Sequence, residues 1–356
     1  MSSYLTMKQL SGTRVRSPDE IALMNNIIEK LRQLLTMRGA KERDYPILER
    51  TERLLEKYSD EEKQVYTIKD PPNCRKKPES ISLRYDLTTQ FIMYAPLGKS
   101  CTFQVGKVYR REKASTSSMR LREFYQFDYD LKGYPIEYSR LEILDALFST
   151  LDCIGLDRTC YTVYVNDRNS VNTALADIVP QEQLNTVCSS LDKLDKIGKQ
   201  KVVEELVSKN ISDPTKVIDA INNNVCTIDK TLFGYPIQYL PTLVRGLDYY
   251  TGIIFEVVLN KQRITIAAGG EYQDSIGFSL GLDRILELCK PIDSQEVIYI
   301  ITFGDRVREA MERARVLRDG GSPAQVYPIT SEKQLRNAIA KINKLSGLFE
   351  VVGPSD

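Results

Sequence analysis

The segment REFYQFDYDLKG alternates without a break: Tyr125, Phe127, Tyr129 and Leu131 fall on one side of an extended chain, and Phe124, Gln126, Asp128 and Asp130 on the other. A period of two scatters these residues around a helical cylinder but sorts them cleanly on a strand. The segment is therefore expected to be a strand with its apolar side against a core. Upstream, SLRYDLT and CTFQVGKVYRRE have the same character, so residues from about 81 to 133 read as antiparallel strands joined by loops.

Such a sheet needs helices to cover it. SPDEIALMNNIIEKLRQLLTMRGA opens with Ser17 and Glu20 as a capping box around Pro18, carries Ile21, Met24, Ile28, Leu31 and Leu35 at helical spacing, and stops at Gly39. A second helical pattern runs through EYSRLEILDALFSTLDC, residues 137 to 153. From 166 to 240 the chain is polar and helical in tone, and the strand pattern resumes at LVRGLDYYTGIIFEVVL. The expected fold class is α+β, an antiparallel sheet flanked by helices and interrupted by a helical insertion. Beyond about 293, EVIYIITF, DRVREAMERARVLRDGG, AQVYPI, SEKQLRNAIAKINKLSG and LFEVVG form a βαβαβ series, expected to be a small parallel α/β module. The expected domains are 1–165 with 241–293 as two parts of one catalytic unit, 166–240 as the insertion, and 294–356 as the module.

Composition removes several function classes. The 356 residues contain no histidine, which excludes Ser-His-Asp and Cys-His catalysis and histidine-ligated metal centres, so no metal site is expected. Seven scattered cysteines without a C-x-x-C fit free thiols in a reducing compartment. A net charge of +1 gives no global nucleic-acid signature, so any RNA contact has to be local. No apolar run nears the roughly 20 residues that span a bilayer, and the N-terminus has no secretory apolar region, so no membrane role and a cytoplasmic location are expected.

Chemistry then rests on carboxylates, amides, phenols and guanidinium groups. The polar face of the alternating strand either meets water or lines a cup that grips a small polar ligand. KVYRREKASTSSMRLREF sets Arg110, Arg111, Glu112, Arg120 and Arg122 around a turn, either as a solvated charged hairpin or as a phosphate clamp. In GFSLGLDRILEL, Gly277 and Gly281 allow close backbone approach at a strand-to-helix junction, with Arg284 in the first helical turn as a candidate anion contact. LVRGLDYYTG places Arg245, Asp248, Tyr249 and Tyr250 ahead of a strand, where a core would be apolar.

Taken together, these segments resemble a family. YRRE with REFYQFDYD is similar to motif 2 of a class II aminoacyl-tRNA synthetase and GFSLGLDRI to motif 3, while LVRGLDYYTG and AAGGEY resemble the signature segments of histidyl-tRNA synthetases. The resemblance implies a class II synthetase-type sheet, activation of histidine with ATP and its Mg2+, tRNA as acceptor, and a homodimer. By similarity, Asp86 and Thr88 hold the amino group with Gln126 close by. Asp130 and Tyr250 take the two imidazole nitrogens, and Tyr272 lines the pocket. Arg110 and Glu112 meet the α-phosphate and adenine side of ATP, Arg284 the γ-phosphate side, and Arg245 the charge of the forming adenylate. Arg245, Arg110 and Arg284 are the expected catalytic residues.

Departures from the family pattern leave a second function open, a synthetase-like regulator or sensor of histidine or tRNA. Thr89 and Gln90 replace Val-Pro. Ala114, Ser118, Met119 and Leu121 stand where the eukaryote-like pattern has proline, arginine, glycine and tyrosine. GGRYDG becomes GGEYQD, with Glu271 for arginine and Gln273 for aspartate. The module stops at VVGPSD, where the family continues, so the chain is expected to be a truncated piece, a compact natural variant or a partly degenerate member.

Overall fold

A computed structural model describes residues 9–55, 64–69, 80–115, 119–224, 237–244, 250–289, 297–344 and 348–353. The chain divides into two compact units, Met1–Lys290 and Pro291–Asp356.

The first unit is built on an eight-stranded sheet in the order Lys41–Glu42, Ser100–Tyr109, Glu123–Lys132, Ser275–Gly281, Thr265–Tyr272, Ile253–Leu259, Tyr161–Asp167 and Ile237–Tyr239. Its pairings are antiparallel except for parallel contacts at the two ends, Lys41–Glu42 with Ser100–Tyr109 and Tyr161–Asp167 with Ile237–Tyr239. The alternation of Glu123–Lys132 divides as expected: Phe127, Tyr129 and Leu131 enter the main core, while Gln126, Asp128 and Asp130 are equally buried on the opposite face. Burial on both faces excludes the reading in which the polar side meets water.

The helices Pro18–Met37 and Ile136–Cys153 cover the apolar face. The capping box forms in full, with Glu20 N donating to Ser17 Oγ at 3.2 Å and Ser17 N to Glu20 Oε2 at 2.7 Å. The core stripe is Leu23, Met24, Ile27, Ile28, Leu31 and Leu35. Ile21, expected inside, is 44% exposed. The true stripe lies slightly around the cylinder, because Leu23 and Ile27 share the face of Leu31 and Leu35.

Of SLRYDLT only Ser82 and Leu83 are in a strand, Ile81–Leu83, which pairs with Leu48–Arg50 and Thr67–Ile68 in a separate three-stranded sheet. Asp86 then turns the chain: its Oδ1 accepts from Thr89 N at 2.9 Å at the start of the helix Thr88–Tyr94. Between the parallel pair Tyr161–Asp167 and Ile237–Tyr239 come the helices Arg168–Leu175, Leu184–Leu191, Leu194–Ile197, Lys199–Ser208 and Pro214–Asn222, with an apolar cluster of their own.

The second unit is a three-stranded parallel sheet, Ala324–Ile329, Ile298–Phe303 and Leu348–Val352 in that order, with the helices Val307–Asp319 and Glu332–Lys344 in the connections. This is the βαβαβ series read from the sequence.

Candidate active site

The buried polar face of the large sheet opens into one cavity. Register brings its parts together: Asp130 pairs with Gly277, which pairs with Gly270, and Asp128 pairs with Ser279, which pairs with Ala268. Directly opposed residues share a face, so carboxylates on one strand stand beside positions with little or no side chain on the next two. A Cβ on Gly277 would overlap the Asp130 carboxylate, and one on Gly270 would come within 2.9 Å of the Tyr250 ring. The glycines are what leave room for the cavity.

Asp86, Thr88, Arg110, Glu112, Gln126, Asp130, Tyr250, Tyr272 and Arg284 all line this cavity. Arg245 lies outside the described residues, as do Asp248 and Tyr249. Of the other charged residues in the Arg110–Arg122 segment, Arg120 also reaches the lining. Arg122 does not: its Nε donates to Glu112 O at 3.0 Å and its Nη1 to Ser11 O at 3.2 Å, tying the loop to the N-terminal segment.

One end is acidic. Asp130 accepts from the Tyr272 phenol. Its pKa is pushed up to about 7, first by burial and then by the charge of Asp86, against the Tyr272 hydrogen bond. Asp128 lies behind the lining and was not among the expected site residues. Its Oδ2 accepts from Thr88 Oγ1 at 3.3 Å and its Oδ1 from Ser279 Oγ, which in turn accepts from Gln126 Nε2. Burial, followed by Asp130, drives its pKa well up. The network orients the Gln126 amide and leaves Gln126 Oε1, buried and without a protein partner, as an acceptor for a ligand. The period-two spacing of Gln126, Asp128 and Asp130 carried this signal.

The other end is basic. Arg110 donates from Nε to Tyr85 O at 3.1 Å, and its guanidinium lies 4.4 Å from the Tyr85 ring centroid and 5.3 Å from that of Phe124. Arg284 donates to Thr265 O, and its pKa is lowered by burial first and then by Arg110 and Arg120. Guanidinium groups held together against their own repulsion suit a polyanion. The helix that carries Arg284, Leu282–Leu286, is a single short turn, so the arginines and not a helix dipole supply the positive field. Asp283 beside it binds Arg16 through Oδ1 and Tyr125 N through Oδ2, the latter at 2.8 Å. Met119, where the family has glycine, stands in the lining with φ of 50°, a left-handed conformation that strains a side chain.

Two of the positions that depart from the pattern of the resembled family, Gln90 and Glu271, have side-chain partners. Gln90, fully buried, donates to Pro46 O and to Glu49 Oε1 at 2.9 Å and accepts from Arg84 Nη1 at 3.4 Å. Glu271 is paired with Arg140. Thr265–Tyr272 and Ser275–Gly281 are joined directly by a tight turn at Gln273 and Asp274, with Gln273 at φ of 51°.

The family model for histidyl-tRNA synthetase matches residues 12–205 and 164–285. The chain belongs to the histidyl-tRNA synthetase family. It is 33% identical over 349 residues to a mitochondrial histidine–tRNA ligase of Mus musculus, covering 80% of this chain and 67% of that one. It is 28% identical over 379 residues to a probable cytoplasmic histidine–tRNA ligase of Encephalitozoon cuniculi, covering 90% and 85%. Among solved structures, an ATP phosphoribosyltransferase regulatory subunit/histidyl-tRNA synthetase from Bacillus halodurans C aligns with a TM-score of 0.74 at 19% identity, covering 99% of each chain. The apo histidyl-tRNA synthetase of S. aureus aligns with a TM-score of 0.66 at 20% identity, covering 98% of this chain and 91% of that one. At these identities the structures establish a shared fold, the class II synthetase fold of the histidyl-tRNA synthetase family. Relatives of this family include cytoplasmic and mitochondrial ligases.

Proposed function

We propose that the protein activates histidine with ATP to histidyl-adenylate and transfers the histidyl group to the 3′ end of its tRNA, as a cytoplasmic homodimer. The observation that carries this reading is the two-ended cavity: the described residues nominated from the sequence for amino-acid binding and for ATP line it together, with Asp86 and Asp130 at one end and Arg110, Arg120 and Arg284, joined by Glu112, at the other.

In this reading Asp86, Thr88 and the unpaired Gln126 Oε1 receive the ammonium group. Asp130 and Tyr250 meet the two ring nitrogens, with Tyr272 holding Asp130 in place. Arg110 and Arg284 bind the phosphates, and Arg245 screens the reacting oxygens. A carboxylate oxygen of histidine attacks the α-phosphorus, forming one P–O bond while the bond to pyrophosphate breaks. No proton has to move in this activation step, so the absence of histidine side chains is no handicap to it. Alignment and charge neutralisation are what the protein supplies. Magnesium fits as an ion carried on the phosphates, with Glu112 as the carboxylate available at the arginine end, and its chemistry would be to neutralise charge on the leaving pyrophosphate. Glu112 is also 4.0 Å from Arg120.

A second reading, a synthetase-like regulator that binds histidine or tRNA without catalysis, is favoured by the altered loop around Met119 and by the regulatory-subunit description of the B. halodurans protein. ATP–pyrophosphate exchange measured with each amino acid in turn separates the two. Exchange with histidine alone supports the synthetase, and histidine binding without exchange supports the regulator. Exchange driven by another amino acid would overturn both.

A further inference from the structure

Glu271 stands where the family has arginine, and it occupies a strategic place. It lies on the helix-facing side of Thr265–Tyr272, 6% exposed, one residue before Tyr272. Its carboxylate takes both arms of Arg140, Nε to Oε1 and Nη2 to Oε2, the latter at 3.1 Å. Arg140 comes from the helix Ile136–Cys153 and does not line the cavity.

The same carboxylate is the surface on which the Tyr250 segment rests. A Cβ on Gly252 would overlap Glu271 Oε2, so this backbone lies directly against the ion pair. Thr251 N donates to Glu271 O at 2.8 Å, and Gly252 O accepts from Arg168 N at 2.9 Å. From this footing Tyr250 extends over Gly270 into the cavity. A buried carboxylate that loses a bidentate guanidinium has to find water or another donor. The Gly252 backbone packs directly on this carboxylate, so a shift of Glu271 would carry Thr251 and Tyr250 with it.

We infer that Arg140, acting through Glu271, is a positioning residue for Tyr250 and so for recognition of the amino acid's side chain. The inference takes its substrate from the function proposed above, but the brace itself is tested without any substrate. The glutamate at 271 is then one half of a matched pair and not a sign of decay.

Five variants test this: Arg140→Gln, Arg140→Lys, the single reversals Arg140→Glu and Glu271→Arg, and the exchange of charges that combines the two reversals. In hydrogen-exchange mass spectrometry, Arg140→Gln is expected to speed exchange in peptides containing Thr251 while peptides from Glu123–Lys132 keep their protection. In histidine-dependent pyrophosphate exchange its KM for histidine should rise by about tenfold to a hundredfold, with the KM for ATP within about twofold. Arg140→Lys should fall between it and the parent, and the double exchange should recover part of what either single reversal loses. Unchanged exchange at Thr251 in Arg140→Gln would overturn the inference even if the protein proves not to be a synthetase. So would equal rises in both KM values, or a double exchange no better than the worse single variant.

Discussion

Asp130 and Gly277 are register partners on neighbouring strands, and the Asp130 carboxylate fills the space that a side chain at 277 would take. The acidic end of the cavity therefore depends on the absence of a side chain at 277. Gly277→Ala should displace Asp130, since the remaining contact, Tyr129 O at 2.7 Å, is backbone and does not yield. Histidine affinity measured by calorimetry is expected to fall by about a hundredfold, the scale set by misplacement of about 1 Å. An alanine variant that binds as the parent does would show that Asp130 is not held by this contact.

Stability should fall with pH on account of the same carboxylate. Folded Asp130 keeps its proton to about pH 7, whereas an unfolded aspartate releases it near pH 4. Its contribution is thus full below about pH 4 and is lost as the pH rises through about 7. Asp128 acts in the same direction. With no histidine in the chain, that side chain adds nothing to the profile. Asp130→Asn should raise the thermal midpoint of the free protein clearly at pH 8 and little at pH 5. A gain of the same size at both values would contradict the assignment.

In the function proposed above, Arg284 trades stability for a phosphate site. Burial and the nearby Arg110 and Arg120 disfavour its charge. Arg284→Met should leave the free protein at least as heat-stable as the parent while slowing pyrophosphate exchange by about 10² to 10³. A large drop in thermal midpoint would instead make Arg284 a structural residue whose bond to Thr265 O matters most.

Gln90 joins Glu49, Pro46 and Arg84 in a buried polar network. Gln90→Leu leaves those groups short of partners and should cost about 1–3 kcal/mol, read by urea denaturation. A neutral outcome would mean that water takes the amide's place.

Local patterns were readable and distant pairings were not. The capping box at Ser17 and the alternation from Phe124 to Leu131 are settled by neighbours in sequence, and the structure has both. The same alternation would have nominated Asp128 had its face been followed in full. SLRYDLT misled because only its first two residues, Ser82 and Leu83, are in a strand, the chain turning where Asp86 accepts from Thr89 N. Ile21 misled because two apolar stripes overlap on one helix and only packing chooses between them. The pairs Arg16–Asp283 and Arg140–Glu271 join residues 267 and 131 apart, and nothing in either flanking segment announces them.

The central claim is that the acidic end of this cavity recognises both ring nitrogens of an imidazole-bearing amino acid. Calorimetric titration of the purified protein with histidine, and then with its two ring-N-methylated isomers, tests it most directly. The account predicts saturable, one-site binding of histidine and losses of at least about a hundredfold for each methylated isomer, because each leaves a buried polar group unpaired. Equal binding of either isomer, or no saturable binding of histidine at all, would contradict it.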